Sequence, residues 1–257
     1  MKKFSTFKQF VLMVVILGVL ALLTFTLNRS SINHINKIKI QGNELLDAEV
    51  YKKFAKLDDI EAIENIGLSL IHDRLEKHPY VENVDVVMLE RGVVKIKIME
   101  KKMDAILLQK DKQLLITDDA QLLPMLPKTK NIDLPVIDNY LEAKKIKLFN
   151  RVKRDNNLLS ALKIISTAEF VDKELYEKIA TIDLHNGKNI TLDIIDIDFP
   201  ILFGKDNEVK KTVYLSKILY YLKRKKLNGY LNYLDLRYDN LVYLGFDNAS
   251  MLKKGRT

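Results

Sequence analysis

The chain has no cysteine. That absence excludes disulfides, thiolate metal ligands and cysteine nucleophiles together, so a folded body must hold by packing alone. Histidine is nearly as scarce: His34, His72, His78 and His185 are the four. No two stand at metal-ligand spacing, and His-Glu-x-x-His does not occur. His78 precedes a proline and His185 sits beside a hairpin turn, so both read as structural. The nine glycines never gather into a phosphate-cradling loop, and Gly-x-Ser-x-Gly is absent. Asp193, Asp196 and Asp198 cluster, but isoleucines interleave where a calcium loop needs glycine and consecutive oxygen ligands. They read as solvent-facing carboxylates at a strand end. Nothing assembles a nucleophile, a base and an oxyanion hole. The expectation is a protein that is not an enzyme, with no cofactor and no metal.

Clustered charge is also missing. The net charge is +8, and the first 27 residues supply three lysines and no acid. The remaining +5 is dispersed among nearly as many acids, and only Lys253, Lys254 and Arg256 gather at the end. A nucleic-acid partner requires a basic face, so none is expected. The balance of 47% hydrophobic and 30% charged residues is that of a folded body, not a disordered one.

One long hydrophobic run is present, residues 10–27, FVLMVVILGVLALLTFTL, eighteen residues without a charge. At about 1.5 Å per helical residue it just crosses a hydrocarbon core of about 30 Å. Phe10, Val11, Leu12, Leu17, Leu20, Leu23 and Leu27 are the candidate anchor residues, with membrane lipid as their partner. Lys2, Lys3 and Lys8 precede them with no acid, which places residues 1–9 in the cytoplasm and the bulk outside it. A cleavable signal peptide is the rival. Its apolar core is shorter and ends in a small-x-small site, which Thr24-Phe25-Thr26-Leu27 does not offer.

Beyond a short linker, Ile38 and Ile40 alternate with lysines as a strand that Gly42-Asn43 ends. Asp47 caps a short helix with Val50 and Phe54 on one face. Residues 56–67 resist assignment. Leu68, Ile71 and Leu75 mark a second helix, closed by His78-Pro79. Residues 84–88 and 93–98 form two strands joined through Gly92. The order is strand, helix, helix, strand, strand. Short strands follow at 105–108 and 114–117. Residues 122–127 and 134–137 are apolar but proline-marked, hence edge or loop. A helix spans 156–169, with Leu158, Leu162 and Ile165 on one face. Residues 179–184 and 190–195 form a hairpin around Asn186-Gly187. A strand over 199–204 precedes a long helix at 207–225 with the stripe Val209, Thr212, Leu215, Leu219, Leu222. A last hairpin turns at Asp239-Asn240, and residues 241–246 form the closing strand.

Ile35-x-x-Ile38-x-Ile40-x-Gly42-Asn43, then Pro79-Tyr80-Val81-x-x-Val84, then a strand ending in Glu100-Lys101-Lys102 resembles a POTRA domain. One such domain after a single N-terminal membrane helix resembles the FtsQ/DivIB family of bacterial cell-division proteins. Leu202-Phe203-Gly204 and Leu234-Asp235-Leu236-Arg237-Tyr238 resemble recurring segments of that family's second, β domain. The chain departs at Lys102-Met103, where the family commonly has proline, and in residues 56–66, which look inserted. The resemblance implies an α+β fold: residues 28–101 linker and POTRA domain, 102–247 a mixed β domain with two packed helices, and 248–257 a flexible tail. It further implies a divisome scaffold that binds FtsB- and FtsL-like proteins and helps control the septal peptidoglycan synthase complex. The setting is the inner membrane, enriched at the septum.

Residues 241–246 are apolar on both faces and carry no charge or proline, the usual blunting of a solvent edge. Either the strand is buried centrally or under the long helix, or it is an open edge for a partner's strand. The resemblance favours the second. It assigns partner binding to Arg237, Tyr238, Leu241, Val242, Tyr243, Leu244, Gly245 and Phe246, with Phe246 where the family often has tryptophan. The POTRA edge at 35–40 is either a further docking edge or a spacer. POTRA domains also occur in envelope-assembly or secretion components that hold extended substrate polypeptides. Those that assemble outer membranes continue into a long barrel, for which too little chain remains here.

Overall fold

The computed structural model describes residues 10–20, 35–59, 63, 66–90, 92–109, 112–130, 132–140, 147–153 and 155–246. Residues 10–20 are helical and exposed. Among the described residues no helix is long and apolar enough to cross a membrane. Of the candidate anchor residues, Leu23 and Leu27 lie outside the described residues. The described chain divides into two compact units. The first takes the segment ending at Gly42, with Ala48–Glu76 and Val84–Ile98; the second takes Asn43–Asp47, Lys77–Asn83 and the chain from Met99 onward.

The first unit is built on strands β1 (Lys37–Gln41), β2 (Val81–Glu90) and β3 (Val93–Glu100), in the order β1-β3-β2. β1 runs parallel to β3, Lys37 opposite Val93 and Gln41 opposite Lys97. Val94, Ile96 and Ile98 are buried, so the period-two pattern fixes which face meets the core. Gly42 closes β1 at φ +81°, and a Cβ there would lie 2.1 Å from the carbonyl oxygen of Ile98, so only glycine fits. Helices α1 (Ala48–Phe54) and α2 (Leu68–Glu76) follow the expected order. The buried face of α1 is not Val50 and Phe54, however. Tyr51 is buried and Phe54 is exposed. The ring of Tyr51 brings more area to the core than Val50, and the helix turns to bury it.

The second unit carries a nine-stranded mixed sheet in the order β12-β11-β10-β9-β8-β7-β4-β5-β6. Its strands are β4 (Met103–Gln109), β5 (Lys112–Thr117), β6 (Leu122–Pro124), β7 (Val136–Asp138), β8 (Ile179–Asp183), β9 (Thr191–Ile194), β10 (Ile201–Leu202), β11 (Leu231–Asp235) and β12 (Tyr243–Phe246). Helices α3 (Asn156–Val171), α4 (Lys173–Lys178) and α5 (Glu208–Lys225) complete it. α3 and α5 pack together, and Leu158, Leu162, Ile165, Leu215 and Leu222 share one core with the sheet. Asp155 caps α3 by accepting from the Leu158 amide at 3.0 Å, and Asp172 caps α4 through the Leu175 amide.

Three expectations need correction. The segment 134–137 is not an edge or loop: β7 lies inside the sheet, parallel to both β4 and β8. Pro135 escapes the usual penalty because it precedes the strand, where its carbonyl accepts from the Ile106 amide at 3.0 Å. The strand over 199–204 shrinks to Ile201–Leu202. On α5, Val209 is exposed and Lys211 is buried instead. The Lys211 ammonium donates to the carbonyls of Phe203 at 3.2 Å and Lys205 at 2.7 Å, which satisfies it inside. Burial holds its pKa below the usual lysine value, countered in part by Asp239 and other nearby acids.

Two side chains named in the sequence patterns tie loops within this unit. The Tyr80 hydroxyl donates to the Pro124 carbonyl at 2.9 Å and accepts from the Leu126 amide at 2.8 Å. One carboxylate oxygen of Glu100 accepts from the amides of Glu44 and Leu45, both at 2.7 Å.

Candidate functional site

The closing strand is shorter than its apolar run. β12 holds Tyr243–Phe246, and Leu241 and Val242 belong to the turn before it. Asn240 takes φ +60°, a left-handed conformation that asparagine tolerates, and the Leu241 amide donates to the Tyr238 carbonyl at 3.3 Å. β12 returns antiparallel to β11, with Asp235 opposite Tyr243, Leu234 opposite Leu244, and Leu231 opposite Phe246. A bulge falls between Leu231 and Tyr233.

β12 is the end of the nine-stranded sheet. Its outer side meets no strand among the described residues, so it is not central in the sheet. Tyr243 is 49% exposed and Phe246 37%, and Tyr238, Leu241 and Val242 are exposed beside them. Leu244 turns inward onto the core. Tyr238 and Tyr243 meet edge to face, ring centroids 5.2 Å apart. The result is an apolar, aromatic edge with backbone groups along it, the form that accepts an added strand.

Arg237 is not a free rim cation. Its guanidinium grips Asp235 in a bidentate pair, Nη2 to Oδ2 at 2.6 Å and Nε to Oδ1 at 2.9 Å, and its amide also donates to Oδ1. Asp235 is 4% exposed. Burial alone raises its pKa, but hydrogen bonds from Arg237 outweigh that and hold the carboxyl below the usual range. Behind Arg237, Gly204 has φ +75°, and a Cβ there would stand 2.9 Å from the arginine Cγ.

Helix α5 fixes the turn. Asn207 donates to Asp239 at 3.0 Å, and the Lys210 ammonium donates to the Asn240 side-chain oxygen at 2.7 Å. Tyr214, Lys210 and Lys211 line a small crevice against Tyr238, Leu241 and Val242. Sequence reasoning missed these helix residues and Tyr233. Their only signal is the i, i+3 and i+4 spacing of Asn207, Lys210, Lys211 and Tyr214, which no local pattern connects to residues 238–242.

Asp193, Asp196 and Asp198 are all exposed, and Asp196 pairs with Lys178 at 3.4 Å. His78 is buried; its Nδ1 accepts from the Tyr80 amide at 3.2 Å, and burial lowers its pKa to about 4. In the first unit, His72 sits 3.5 Å from Asp73 and 3.9 Å from Glu76, a grouping with metal-ligand reach but largely exposed. His34 lies outside the described residues. A cleft of about 290 Å³ between α4, α5 and the end of β9 is lined chiefly by Leu175, Ile194, Ile195, Ile197, Leu219 and Tyr220.

No protein-family model matches the chain, and no curated protein does. Among solved structures, it is similar to the major extracytoplasmic domain of the trans isomer of the bacterial cell-division protein DivIB from Geobacillus stearothermophilus. The identity is 12% and the TM-score 0.31, over 49% of this chain and 96% of that one.

Proposed function

We propose that this chain is a membrane-anchored, non-enzymatic scaffold of the division machinery that takes up a partner's strand along β12. The observation that carries the reading is the exposed edge: Tyr243 and Phe246 stand out beside Tyr238 on a terminal strand with no described neighbour on its outer side. Ladder hydrogen bonds supply affinity there, and the aromatic side chains supply anchors. Arg237 acts as a brace, holding the turn to β11 through Asp235.

The assignment to division rests on the resemblance of residues 234–238 and of the β-α-α-β-β order to the FtsQ/DivIB family. On that reading residues 10–27 are the anchor, 28–101 a linker and POTRA domain, and 102–247 the docking domain. The partners are an FtsB- and FtsL-like pair, through which the septal peptidoglycan synthase is reached. The chain would then be single-pass in the cytoplasmic membrane, with its bulk outside the cytoplasm and concentrated at the septum. Purification of the tagged full chain from solubilised membranes tests it. FtsB- and FtsL-like proteins should co-purify with the wild type and be lost with Tyr243→Glu. Recovery of extended envelope substrates in place of division proteins would sink the reading.

A further inference from the structure

We propose that the outward face of α5 docks onto an anionic phospholipid surface. From Val209 to Leu234 the chain carries no aspartate or glutamate, while lysine and arginine occur seven times and tyrosine five times. Residues 1–43 and 143–154 are also free of acid, with six cations each, but here the cations fall along one helix. The helix turns that composition into a surface. Lys210, Tyr214, Lys217, Tyr221 and Arg224 recur at spacings of four and three, which places them on one stripe about 21 Å long. All five are exposed, and the opposite side of the helix buries Thr212, Leu215 and Leu222.

The stripe has few internal commitments. Among the described residues Lys210 bonds only a side-chain amide oxygen, and its ammonium lies 5.6 Å from the Tyr214 ring centroid. Lys225 lies 5.9 Å from that of Tyr221. Among the described residues, neither Lys217 nor Arg224 has an acidic partner; Lys223, toward the side of the helix, takes Glu174 at 2.7 Å. Lysine and arginine donate and cannot accept. Apart from the two tyrosine hydroxyls the face therefore offers no side-chain acceptor to the N–H groups of a peptide or to the donors of a base edge, and its cations suit a layer of phosphodiesters. Tyrosine favours the headgroup level of a bilayer, and basic clusters bind anionic leaflets. Phe170, at the C-terminal end of α3, is 92% exposed on the helix that packs along α5. A bare phenyl ring on the neighbouring helix suits lipid better than a phosphate backbone alone. This inference does not depend on strand addition at β12.

The absence of cysteine makes the test clean. Tyr221→Cys in the full chain, carrying an environment-sensitive fluorophore, reports on the stripe; Lys112→Cys on β5 serves as reference. Both are reconstituted in nanodiscs of phosphatidylcholine with or without phosphatidylglycerol. The label at 221, and not that at 112, should shift to the blue only with phosphatidylglycerol, and about 0.5 M salt should reverse it. Each cation near the surface is worth about five-fold in association, so adding Lys217→Glu and Arg224→Glu should abolish the shift while the thermal melt stays unchanged. Equal emission in the two lipids at low salt overturns the proposal. So does a shift that survives the double reversal, or one produced by polyglutamate but not by phosphatidylglycerol.

Discussion

The ring of Tyr233 occupies the space where Gly245 has no side chain: a Cβ on Gly245 would lie 2.3 Å from the Tyr233 Cε1 atom. The two residues are register partners across β11 and β12. The glycine therefore lets an aromatic ring lie flat over the ladder of the edge strand, and the ring becomes part of the exposed surface beside Tyr243.

Gly245→Ala should swing Tyr233 aside and cost about 1 kcal/mol, a modest figure because the ring is partly exposed and can move. In a Tyr233→Ser background the same change should cost almost nothing. A double-mutant cycle by thermal denaturation checks this, and equal costs in the two backgrounds would dismiss the contact.

Arg237→Ala should destabilise by about 1–2 kcal/mol, discounted for the solvent that reaches the guanidinium, because it strands the buried Asp235 carboxylate. Asp235 has a depressed folded pKa. As pH falls below about 3.9 the unfolded carboxyl takes its proton first, so its stabilisation is present above that pH and lost below it. Asp235→Asn should remove this part of the acid sensitivity, measured as Tm between pH 5 and 2.

His78 makes the protein lose stability over a higher window. The unfolded imidazole titrates near 6.5, but the buried one remains neutral to about pH 4 and accepts the Tyr80 amide. Between those values the unfolded state binds more protons, so stability falls as pH falls, by on the order of 3 kcal/mol in all. His78→Asn can keep the acceptor through an Asx turn while carrying no titratable group. It should flatten denaturant-derived stability between pH 6.5 and 4, and an unchanged slope would exclude His78 as the source.

Tyr80→Phe should cost about 1–3 kcal/mol, since the Pro124 carbonyl and the Leu126 amide both lose the hydroxyl. Hydrogen exchange should quicken at Leu126 and leave the β8–β9 ladder unchanged.

Much of the fold can be read from local pattern. Val94, Ile96 and Ile98 alternate, Leu158, Leu162 and Ile165 repeat helically, and Asn186-Gly187 turns between β8 and β9 as the dipeptide suggests. What is not legible depends on partners distant in sequence. The burial of Lys211 requires the carbonyls of Phe203 and Lys205. The central place of β7 requires β4 and β8, with Pro135 falling just before it. In the candidate site, the apolar character of residues 241–246 is visible in sequence, but their edge position is a property of the whole sheet order. The bidentate pair of Arg237 with the buried Asp235 is likewise seen only in the folded chain.

The most direct test of the docking edge is the affinity of the full chain for the FtsB–FtsL-like pair, measured with Tyr243→Glu and Phe246→Glu and with Lys112→Glu as control. Anchors of this kind are worth about 2 kcal/mol or more. The two edge variants should thus bind at least about 30-fold more weakly with unchanged melting, while the control keeps wild-type affinity. Wild-type affinity in both edge variants, each still folded, would contradict strand addition at β12.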